Sequence, residues 1–444
     1  MPCFYSQFRT YPNLRWRRIA GAIAPLGSTL LLSGSSARPA VSRAVIHLRS
    51  ARLSPDKLFT AVMPIVAAVI VYVLALLLAF IPELRELFAE WDLTAGDEVS
   101  VGETQECADR KTISLALQGG GSHGAFAWGA LDRILEDERI VIEGIVGTSA
   151  GAMNAVVTAY GLTLGGNEGA RQSLRRLWEA VAERGTWSVM QPSWLDQLIS
   201  PGSLDYSPGW IMMDTLSRVL SPYQMNPVNY HPLRDILNEQ IDFDTLCRSD
   251  KVKLFVCASN VFTNRLHVFN LRDMSVDAVV ASSCIPSVFQ AVEINGEYFW
   301  DGGYMGNPPI FPIIYNCASS DVLLIMVNPI HIEQVPQTAQ AILDRINTLS
   351  FNSSLMREMR AINFVNRLVD GGFDDGGRLK KMLIHCIDAE EELSSLGVSS
   401  KLNVGRDFLG WLFELGRSRA DAFICEHFDT IGKDSSTSIE QRFL

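Results

Sequence analysis

The chain has 444 residues, of which 48% are hydrophobic and 20% charged, and this composition excludes a protein that is disordered throughout. At about 150 residues per domain, the length suggests two or three folded units. The net charge of −11 is unevenly distributed: residues 1–57 contain nine basic side chains and one acidic one, so they carry +8 and the rest carries −19. An acidic body argues against a nucleic-acid groove, because phosphate binding requires clustered Lys and Arg.

The N-terminal part contains one long uncharged segment. Residues 58–82 form a run of 25 residues without a charge, longer than the roughly 20 that a membrane-spanning helix needs, so we predict one transmembrane helix. A buried core or interfacial helix is the alternative. The charges on either side predict a cytoplasmic N-terminus, with the body translocated across the membrane. Residues 83–110 are predicted to be a linker.

The basic segment of residues 1–57 has the composition of a signal or transit segment, or of translated sequence upstream of the true start. It is predicted to be a targeting segment or disordered. The predicted location is therefore a membrane that the chain crosses once. If the basic segment is not part of the mature protein, the alternative is a cytoplasmic location.

From Lys111 onward, short apolar runs alternate with helical patterns. Strands are predicted at 113–117, 140–146, 253–258, 266–270, 322–328 and 381–387. Helices are predicted from about Ser122 to Glu138 and up to about Tyr160. This order predicts an α/β fold in which a mostly parallel sheet is covered by helices on both faces.

Three further boundaries follow from the pattern. Residues 111–330 are predicted to form the α/β domain, and residues 161–241 within it a helical insertion that is rich in tryptophan. Residues 331–444 are predicted to be a mainly helical C-terminal extension. The eight cysteines are sparse, no pair has Cys-x-x-Cys spacing, and no ligand-spaced cluster indicates a metal, so we predict neither a disulfide framework nor a metal site.

Residues 147–151 read Gly-Thr-Ser-Ala-Gly between a predicted strand and a predicted helix. In this context Gly-x-Ser-x-Gly indicates a nucleophile elbow, in which Gly147 and Gly151 allow a cramped turn that lifts the Ser149 hydroxyl above the sheet edge. The N-terminus of the next helix directs partial positive charge towards that hydroxyl. Ser149 is therefore the candidate nucleophile for attack on an acyl carbon, and an incidental tight turn is the alternative.

A glycine-rich loop follows the first predicted strand. Its glycines leave backbone amides unobstructed at a helix start, which predicts an oxyanion hole formed by Gly119, Gly120, Gly121 and Gly124. The same spacing matches the Gly-x-Gly-x-x-Gly fingerprint of dinucleotide-binding domains. Such a domain has an acidic residue at the end of the next strand, where this chain has residues 147–149, and this disfavours a nucleotide site.

A nucleophilic serine requires a base. Histidine is the usual partner, but none of the candidates His231, His267 and His385 is flanked by a pattern that singles it out. The better candidate is Asp301, which an aromatic strand delivers to a turn of two glycines. Taken alone, that segment is better explained as an Asp-Gly-Gly hairpin turn.

Together and in this order, the glycine loop at 119–124, the elbow at 147–151 and the Asp301-Gly302-Gly303 turn resemble the motifs of the patatin-like phospholipases. Further similarities occur at Ala281, Ser282, Pro286, Phe289, Asn307 and Pro308. The resemblance covers residues 111–330. One departure is His123, where many relatives carry Arg or Lys, and this puts any role of a cation in the loop in doubt.

The resemblance implies a three-layer α/β/α fold and a serine hydrolase with a Ser149–Asp301 dyad, no catalytic histidine, no cofactor and no metal. Because aspartate with a pKa of about 3.9 is a weak base, its site must be partly desolvated. The implied activity is hydrolysis of phospholipid or another lipid ester through an acyl-enzyme, with the insertion as a candidate lid or membrane-binding surface. Alternatives are a storage-polyester depolymerase, a general esterase, a non-catalytic lipid-binding module and a nucleotide-binding protein.

Overall fold

The computed structural model describes residues 110–186, 188, 190–373 and 376–444, which belong to one compact unit. The predicted basic segment, membrane span and linker lie outside the described residues, apart from Arg110. Within the described part of the chain, no helix has the length and apolar character needed to cross a membrane.

An eight-stranded sheet forms the centre of the fold. Its strands are β1 (Lys111–Leu117), β2 (Ile140–Gly147), β3 (Lys253–Asn260), β4 (Arg265–Asn270), β5 (Val292–Ile294), β6 (Glu297–Asp301), β7 (Asp321–Ile325) and β8 (Leu383–Ile387). They are arranged in the order β5-β6-β3-β2-β1-β7-β8, and β4 also pairs with β3. The five neighbouring strands β3, β2, β1, β7 and β8 are parallel to one another. Strands β4 and β6 pair antiparallel with β3, and β5 pairs antiparallel with β6. The predicted α/β fold with a mostly parallel sheet is confirmed.

Helices connect the strands. They are α1 (Gly124–Glu136), α2 (Ala150–Gly185), α3 (Trp194–Ile199), α4 (Pro208–Ser217), α5 (Pro222–Met225), α6 (Pro232–Gln240), α7 (Phe243–Cys247), α8 (Val276–Ser282), α9 (Phe311–Asn316), α10 (Ala339–Asp370), α11 (Glu390–Ser394), α12 (Arg406–His427) and α13 (Ile439–Phe443). Short 3-10 helices occur at Gly121–His123, Leu271–Asp273, Gly302–Tyr304, Val398–Leu402 and Phe428–Thr430.

Alternate residues of the strands enter two separate hydrophobic cores, one on each face of the sheet. In β7, Leu323 and Ile325 pack into the core formed with α1, α2 and α12, whereas Val322 and Leu324 pack into the core formed with α9, α10 and α13. Successive side chains of a strand point to opposite faces, so apolar residues at every position require helices on both sides. The fold therefore has three layers.

Two predicted boundaries differ from the structure. The helix predicted to end near Tyr160 continues to Gly185 and is interrupted only by non-helical backbone at Gly165 and Gly166. Residue 161 is thus not the start of a separate insertion. The strand predicted for 322–328 ends at Ile325, because the next residues leave the sheet and the amides of Val327 and Asn328 donate to the Gln118 side chain.

The hairpin formed by β5 and β6 was predicted only in part. The aromatic strand before Asp301 was expected, but its partner β5 was not. The two strands are joined at Asn295 and Gly296, both of which have positive φ, 54° and 83°. Asn-Gly between short strands is a strong hairpin signal, so the sequence contained the information for β5.

The C-terminal residues share the sheet and cores of the region before them. Strand β8, which was predicted at 381–387 within the mainly helical extension, pairs with β7 and so joins the central sheet. Helix α12 packs along α1, with Gly416 against Phe126 and Gly129 against Phe413. Residues 111–330 and 331–444 therefore form one folded body rather than a domain followed by an appendage.

The close packing of α12 on α1 makes Gly416 sensitive to substitution. A Cβ atom at this position would overlap the carbonyl oxygen of Phe126, so Gly416→Ala forces two helix backbones apart. Overpacking of this kind typically costs about 1–3 kcal/mol. We expect a lower free energy of unfolding by at least about 1 kcal/mol, measured by denaturant titration.

Gly410→Ala is the matched control for Gly416→Ala, because it changes the same residue type in the same helix. Gly410 is exposed, and nothing lies within 4 Å of its virtual Cβ atom. Alanine there is expected to raise stability by up to about 1 kcal/mol through helix propensity. Equal effects of the two substitutions would contradict the described packing of α12 on α1.

Candidate active site

The candidate site lies at the edge of the sheet where the parallel strands end. The glycine loop follows β1, and Ser149 follows β2. Asp301 reaches the same edge from antiparallel β6. It pairs with Ala258 of β3, two positions beyond Val256, which pairs with Gly147 at the end of β2. Because β2 and β6 border successive parts of the same strand, the register brings the end of β6 beside the elbow.

The backbone at Ser149 has the cramped conformation that the motif predicts. Its φ is 56° and its ψ is −124°, in a region that residues with a side chain rarely adopt. The Ser149 amide donates to Ser282 Oγ at 2.9 Å, and Thr148 Oγ1 donates to the Gly306 carbonyl at 2.8 Å. Contacts on both sides thus hold the strained turn in place.

The two elbow glycines let the start of α2 approach the ends of β1 and β2 closely. A side chain at Gly147 would overlap the Gly151 carbonyl oxygen, and one at Gly151 would overlap the Leu117 carbonyl oxygen. Ser149 is the N-cap of α2, so the positive end of the helix dipole points at it. Its exposed fraction is 7%.

Three hydrogen bonds with other residues hold Asp301 in place, two through its backbone and one through its side chain. Its amide donates to the Cys284 carbonyl at 2.8 Å, and its carbonyl accepts from Ser259 Oγ at 2.8 Å. Its Oδ1 accepts from the Gly303 amide at 2.7 Å, which starts the 3-10 helix Gly302–Tyr304. The carboxyl group is therefore held at one end, and its exposed fraction is 1%.

Burial raises the pKa of Asp301 to about 6. The Gly303 amide, the Ser149 hydroxyl and the positive charge of Lys401 oppose this rise, because each stabilises the carboxylate. A carboxyl group with a pKa near neutrality is a stronger base than ordinary aspartate and is still mostly ionised at pH 7. The desolvation that the dyad requires is thus present.

The Ser149 hydroxyl lies close enough to Asp301 to lower its pKa as a hydrogen-bond donor. Asp301 Oδ2 nevertheless makes no hydrogen bond of good geometry with any described residue. Catalytic hydrogen bonds are often long or poorly aligned before substrate binds. Asp301 Oδ1 therefore accepts a hydrogen bond from the backbone, whereas Oδ2 has no well-aligned hydrogen-bond donor among the described residues and can accept a proton.

The glycine loop offers fewer free amides than predicted. The Gly119 amide donates to Asn307 Oδ1 at 2.7 Å, and the Gly124 amide donates to carbonyls of the preceding 3-10 turn. These two amides are therefore unavailable to an oxyanion, which corrects the expectation for Gly119 and Gly124. Within the described residues, Gly120 and Gly121 are the loop glycines whose amides have no assigned acceptor.

Buried side-chain amides hold the glycine loop in shape. Asn307 Nδ2 and Asn328 Nδ2 both donate to the Gly119 carbonyl, at 3.3 Å and 2.7 Å. Gln118 Nε2 donates to the Asn307 carbonyl at 3.2 Å, and its Oε1 accepts the Val327 amide at 2.9 Å. Asn328 and Gln118 were not predicted as site residues, and an isolated amide side chain gives no sequence signal for this role.

None of the three candidate histidines forms a hydrogen bond with the dyad. His231 is buried against the ring of Phe289, with centroids 4.0 Å apart, and burial lowers its pKa to about 4. His267 lies on β4. His385 bonds Asp321 at 3.0 Å, at the opposite end of β7 from the site. His123, the departure from the family pattern, is buried in the loop, and its pKa is lowered to about 3 by burial and by Lys401.

The tryptophan-rich segment exposes an unusual amount of apolar surface. Trp194 and Leu198 of α3 are 71% and 73% exposed. Other exposed apolar residues of the segment are Ile199, Tyr206, Ile211, Met212, Leu216, Val219, Tyr223, Val228 and Tyr230. The segment contacts the surroundings of the site, since the Gln290 side chain donates to the Asn226 carbonyl at 2.7 Å.

Within the described part of the chain, no group of three or more His, Cys, Asp or Glu residues is arranged to hold a metal ion. The described cysteines are free thiols. Burial and, to a smaller extent, the charge of Asp301 raise the pKa of Cys284 to about 12. It is therefore a thiol rather than a thiolate at neutral pH and is not a competing nucleophile.

A match to a known protein family covers most residues of this site. Residues 115–314 match the family model described as patatin-like phospholipase. That range includes the glycine loop, Ser149 and Asp301. No curated protein sequence gives a significant match to the chain.

Several solved structures are similar to parts of the chain, among them VipD and ExoU. VipD from Legionella pneumophila is 17% identical over 72% of this chain and 67% of its own, with a TM-score of 0.36. ExoU in its complex with SpcU, from the type III secretion system of Pseudomonas aeruginosa, is 16% identical over 72% of this chain and 52% of its own, with a TM-score of 0.31. This chain thus spans about half of ExoU. TM-scores below 0.5 do not support the transfer of activity or partners from these proteins.

Proposed function

The chain contains a patatin-like phospholipase domain at residues 115–314, and from this premise we propose that it hydrolyses carboxylic esters of lipids through a Ser149–Asp301 dyad. The observation that carries the proposal is the juxtaposition of three features at one sheet edge. These are a strained serine at a helix start, a buried carboxylate with one open oxygen, and two glycine amides without an assigned acceptor.

In the proposed first half-reaction, Asp301 Oδ2 accepts the Ser149 hydroxyl proton while Ser149 Oγ forms a bond to the ester carbonyl carbon. The carbonyl oxygen becomes negatively charged, and the amides of Gly120 and Gly121 stabilise it. When the tetrahedral intermediate collapses, the ester C–O bond breaks and the leaving alkoxide takes the proton from Asp301. The products are a free alcohol and an acyl group on Ser149.

In the second half-reaction, water replaces the alcohol. Asp301 accepts a proton from that water as its oxygen attacks the acyl-enzyme, and the same amides stabilise the second oxyanion. Collapse of this intermediate breaks the bond to Ser149 Oγ, which regains the proton from Asp301. A carboxylic acid is released, and neither a metal nor a cofactor takes part in any step.

The pH dependence follows from the state of Asp301. Only the ionised carboxylate accepts a proton, and its pKa is raised to about 6. We therefore expect kcat/KM for an uncharged ester to fall about tenfold per pH unit as the pH is lowered below about 6. Initial rates between about pH 4.5 and pH 8 measure this limb. Activity that stays constant down to pH 4.5 would contradict a base with a raised pKa.

The proposed substrate class is lipid because the segment beside the site exposes large apolar side chains. Contiguous exposed apolar surface marks a binding surface for protein, ligand or membrane. Ser149 and Asp301 are 7% and 1% exposed, so movement of nearby chain would widen access of an ester group to Ser149. We propose that contact of the exposed residues of α3 and α4 with a lipid surface favours that movement. The predicted span at 58–82 would keep the enzyme at a membrane.

The proposed function is tested by supplying the protein with phospholipid vesicles, triacylglycerol emulsion, a storage polyester and a soluble short-chain ester. Mass spectrometry of the products identifies free fatty acids, lysolipids or hydroxy acids. We expect fatty acid release from phospholipid at a higher rate than hydrolysis of the soluble ester. Preferential polyester cleavage would support the depolymerase alternative. No hydrolysis of any ester, together with retained binding to vesicles, would support a lipid-binding module instead.

A further inference from the structure

Lys401 is a cation beside the dyad that the proposed mechanism does not use. It lies in the 3-10 helix Val398–Leu402, beyond the end of the family match at residue 314. Its Nζ donates to Asn328 Oδ1 at 2.7 Å, and Asn328 Nδ2 donates in turn to the Gly119 carbonyl at 2.7 Å. Two hydrogen bonds therefore connect the ammonium group to the glycine loop.

The backbone around Lys401 also contacts the glycine loop directly. A Cβ atom on Gly121, which has a φ of 59°, would overlap the Lys401 carbonyl oxygen. The neighbouring Ser400 Oγ lies 2.8 Å from His123 Nε2. The 3-10 helix thus packs against the turn that presents the free amides of the loop, and it does so through backbone as well as side chain.

The positive charge of Lys401 affects two titratable side chains of the site, Asp301 and His123. It lowers the pKa of Asp301 and, after the larger effect of burial, that of His123, so His123 is neutral at pH 7 and adds no positive charge. Burial lowers the pKa of Lys401 itself to about 8, opposed by the carboxylates of Asp344 and Asp301. The ring of Phe351 lies 5.7 Å from its Nζ.

The other groups that face Asp301 are uncharged at neutral pH. They are the Ser149 hydroxyl, the Gly303 amide, and the side chains of Cys284 and Tyr304, whose own pKa values are raised by burial and by the charge of Asp301. Among the described residues, Lys401 is thus the cation whose charge acts on the Asp301 carboxylate.

We propose that Lys401 is a positioning residue of the catalytic centre: through Asn328 it fixes the glycine loop with its amides open, and its charge favours ionised Asp301 and the oxyanion that develops beside it. This proposal rests on the proposed function. It also assigns part of the catalytic machinery to the C-terminal region, so that the functional unit extends to at least residue 402.

The test compares Lys401→Met and Lys401→Arg with wild type over a range from about pH 4.5 to pH 10. In wild type, we expect an acid limb near pH 6 from Asp301 and an alkaline limb near pH 8, where Lys401 loses its proton. Methionine should move the acid limb up by roughly one pH unit and lower kcat at pH 7 by about 10- to 100-fold. Arginine, which stays charged, should retain the acid limb and abolish the alkaline one.

Lys433→Met is the control, because Lys433 is exposed and belongs to no part of the site. Its profile should match wild type. A Lys401→Met profile that equals wild type in both limbs and in kcat would overturn the proposal, as would an alkaline limb that stays in place in Lys401→Arg. Because arginine keeps the charge, the second result remains decisive even if the methionine variant does not fold.

The rate of covalent labelling by a fluorophosphonate separates this proposal from the proposed function. Labelling reports the nucleophilicity of Ser149 without requiring a particular lipid. If wild type is labelled and Lys401→Met is labelled at least about tenfold more slowly at pH 7, the role of Lys401 is supported whichever ester is the natural substrate. If wild type is not labelled, the result contradicts the proposed function itself, on which the role of Lys401 depends. Equal labelling rates in the two proteins would count against Lys401 alone.

Discussion

Ser149→Ala is expected to reduce ester hydrolysis by at least about 10⁴-fold and to abolish labelling by a fluorophosphonate probe. The substitution removes the one atom that, in the proposed mechanism, forms the acyl-enzyme bond. It leaves the surroundings of the elbow intact, because the Ser149 amide still donates to Ser282 Oγ and the flanking glycines keep their close contacts. The folded state should therefore persist, as circular dichroism and thermal unfolding can verify.

Ser283→Ala is a suitable comparison for Ser149→Ala. Ser283 is also buried and follows Ser282 directly, but its hydroxyl donates to the carbonyls of Val279 and Val280 within its own helix. Its removal should leave labelling and hydrolysis within about twofold of wild type, because this hydroxyl bonds carbonyls at the end of α8 and no group of the candidate site. Labelling of the Ser149→Ala protein at the wild-type level would remove Ser149 from the mechanism.

Asp301→Asn is expected to lower kcat/KM by about 10²- to 10⁴-fold, the usual contribution of a general base. Asparagine keeps an oxygen that can accept from the Gly303 amide, so the turn after β6 should be preserved. What is lost is the group that takes the Ser149 proton. We expect fluorophosphonate labelling to become slow rather than absent, because the nucleophile itself remains.

The same substitution should make the protein more stable at pH 8. The carboxyl group has a pKa of about 6 in the folded state against 3.8 in its unperturbed state, so it binds its proton more tightly when folded. Its contribution therefore favours folding below about pH 4 and is lost as the pH rises through 6. At pH 8 the buried charge costs up to about 3 kcal/mol, and asparagine removes that cost. Thermal unfolding at pH 8 and at pH 5 should show a larger gain at pH 8.

Asp250→Asn controls for the effect of an added amide, since Asp250 is exposed and remote from the dyad. It should change neither activity nor the pH dependence of stability. An Asp301→Asn protein that is inactive and also much less stable at pH 8 would point to a structural role of the carboxylate. An Asp301→Asn protein with full activity would require a different base.

The combination of lower activity and higher stability has a physical origin in the site. The burial that makes Asp301 a useful base also makes its charged form unfavourable in the folded state. The strained backbone of Ser149 is a second such feature, because its φ of 56° is costly for a residue with a side chain. Both features are held by surrounding hydrogen bonds and close contacts rather than by their own conformational preference.

The parts of the site that follow from the sequence are local patterns. The strand, glycine and helix order around Ser149 predicts the elbow, because a tight turn between a parallel strand and its helix needs small residues at fixed positions. The alternation of apolar strands with helices predicts the parallel sheet. The Asn-Gly turn between β5 and β6 was equally readable, and that strand was missed because it is only three residues long.

Which loop amides are free is a different matter, because it depends on partners far away in the chain. Gly119 looked as available as Gly120 until the structure brought Asn307, 188 positions later, to its amide. Gly124 is unavailable because the 3-10 turn at Gly121–His123 precedes it, and the carbonyls of Gly121 and Ser122 accept its amide. Hydrogen-bond acceptors that reach a loop from distant segments of the chain leave no local signature in it.

By itself, the sequence predicted the candidate nucleophile, the class of the sheet and the resemblance to the family, because short-range spacing and the period of apolar residues encode them. Only the tertiary structure decided which oxygen of Asp301 lacks a hydrogen-bond donor among the described residues, which loop amides lack an acceptor there and that Lys401 lies beside the loop. These depend on β3 pairing with β2 and β6 along one edge and on a 3-10 helix near the C-terminus packing onto the first loop. Such contacts are set by long-range packing of the whole body, which no local pattern specifies.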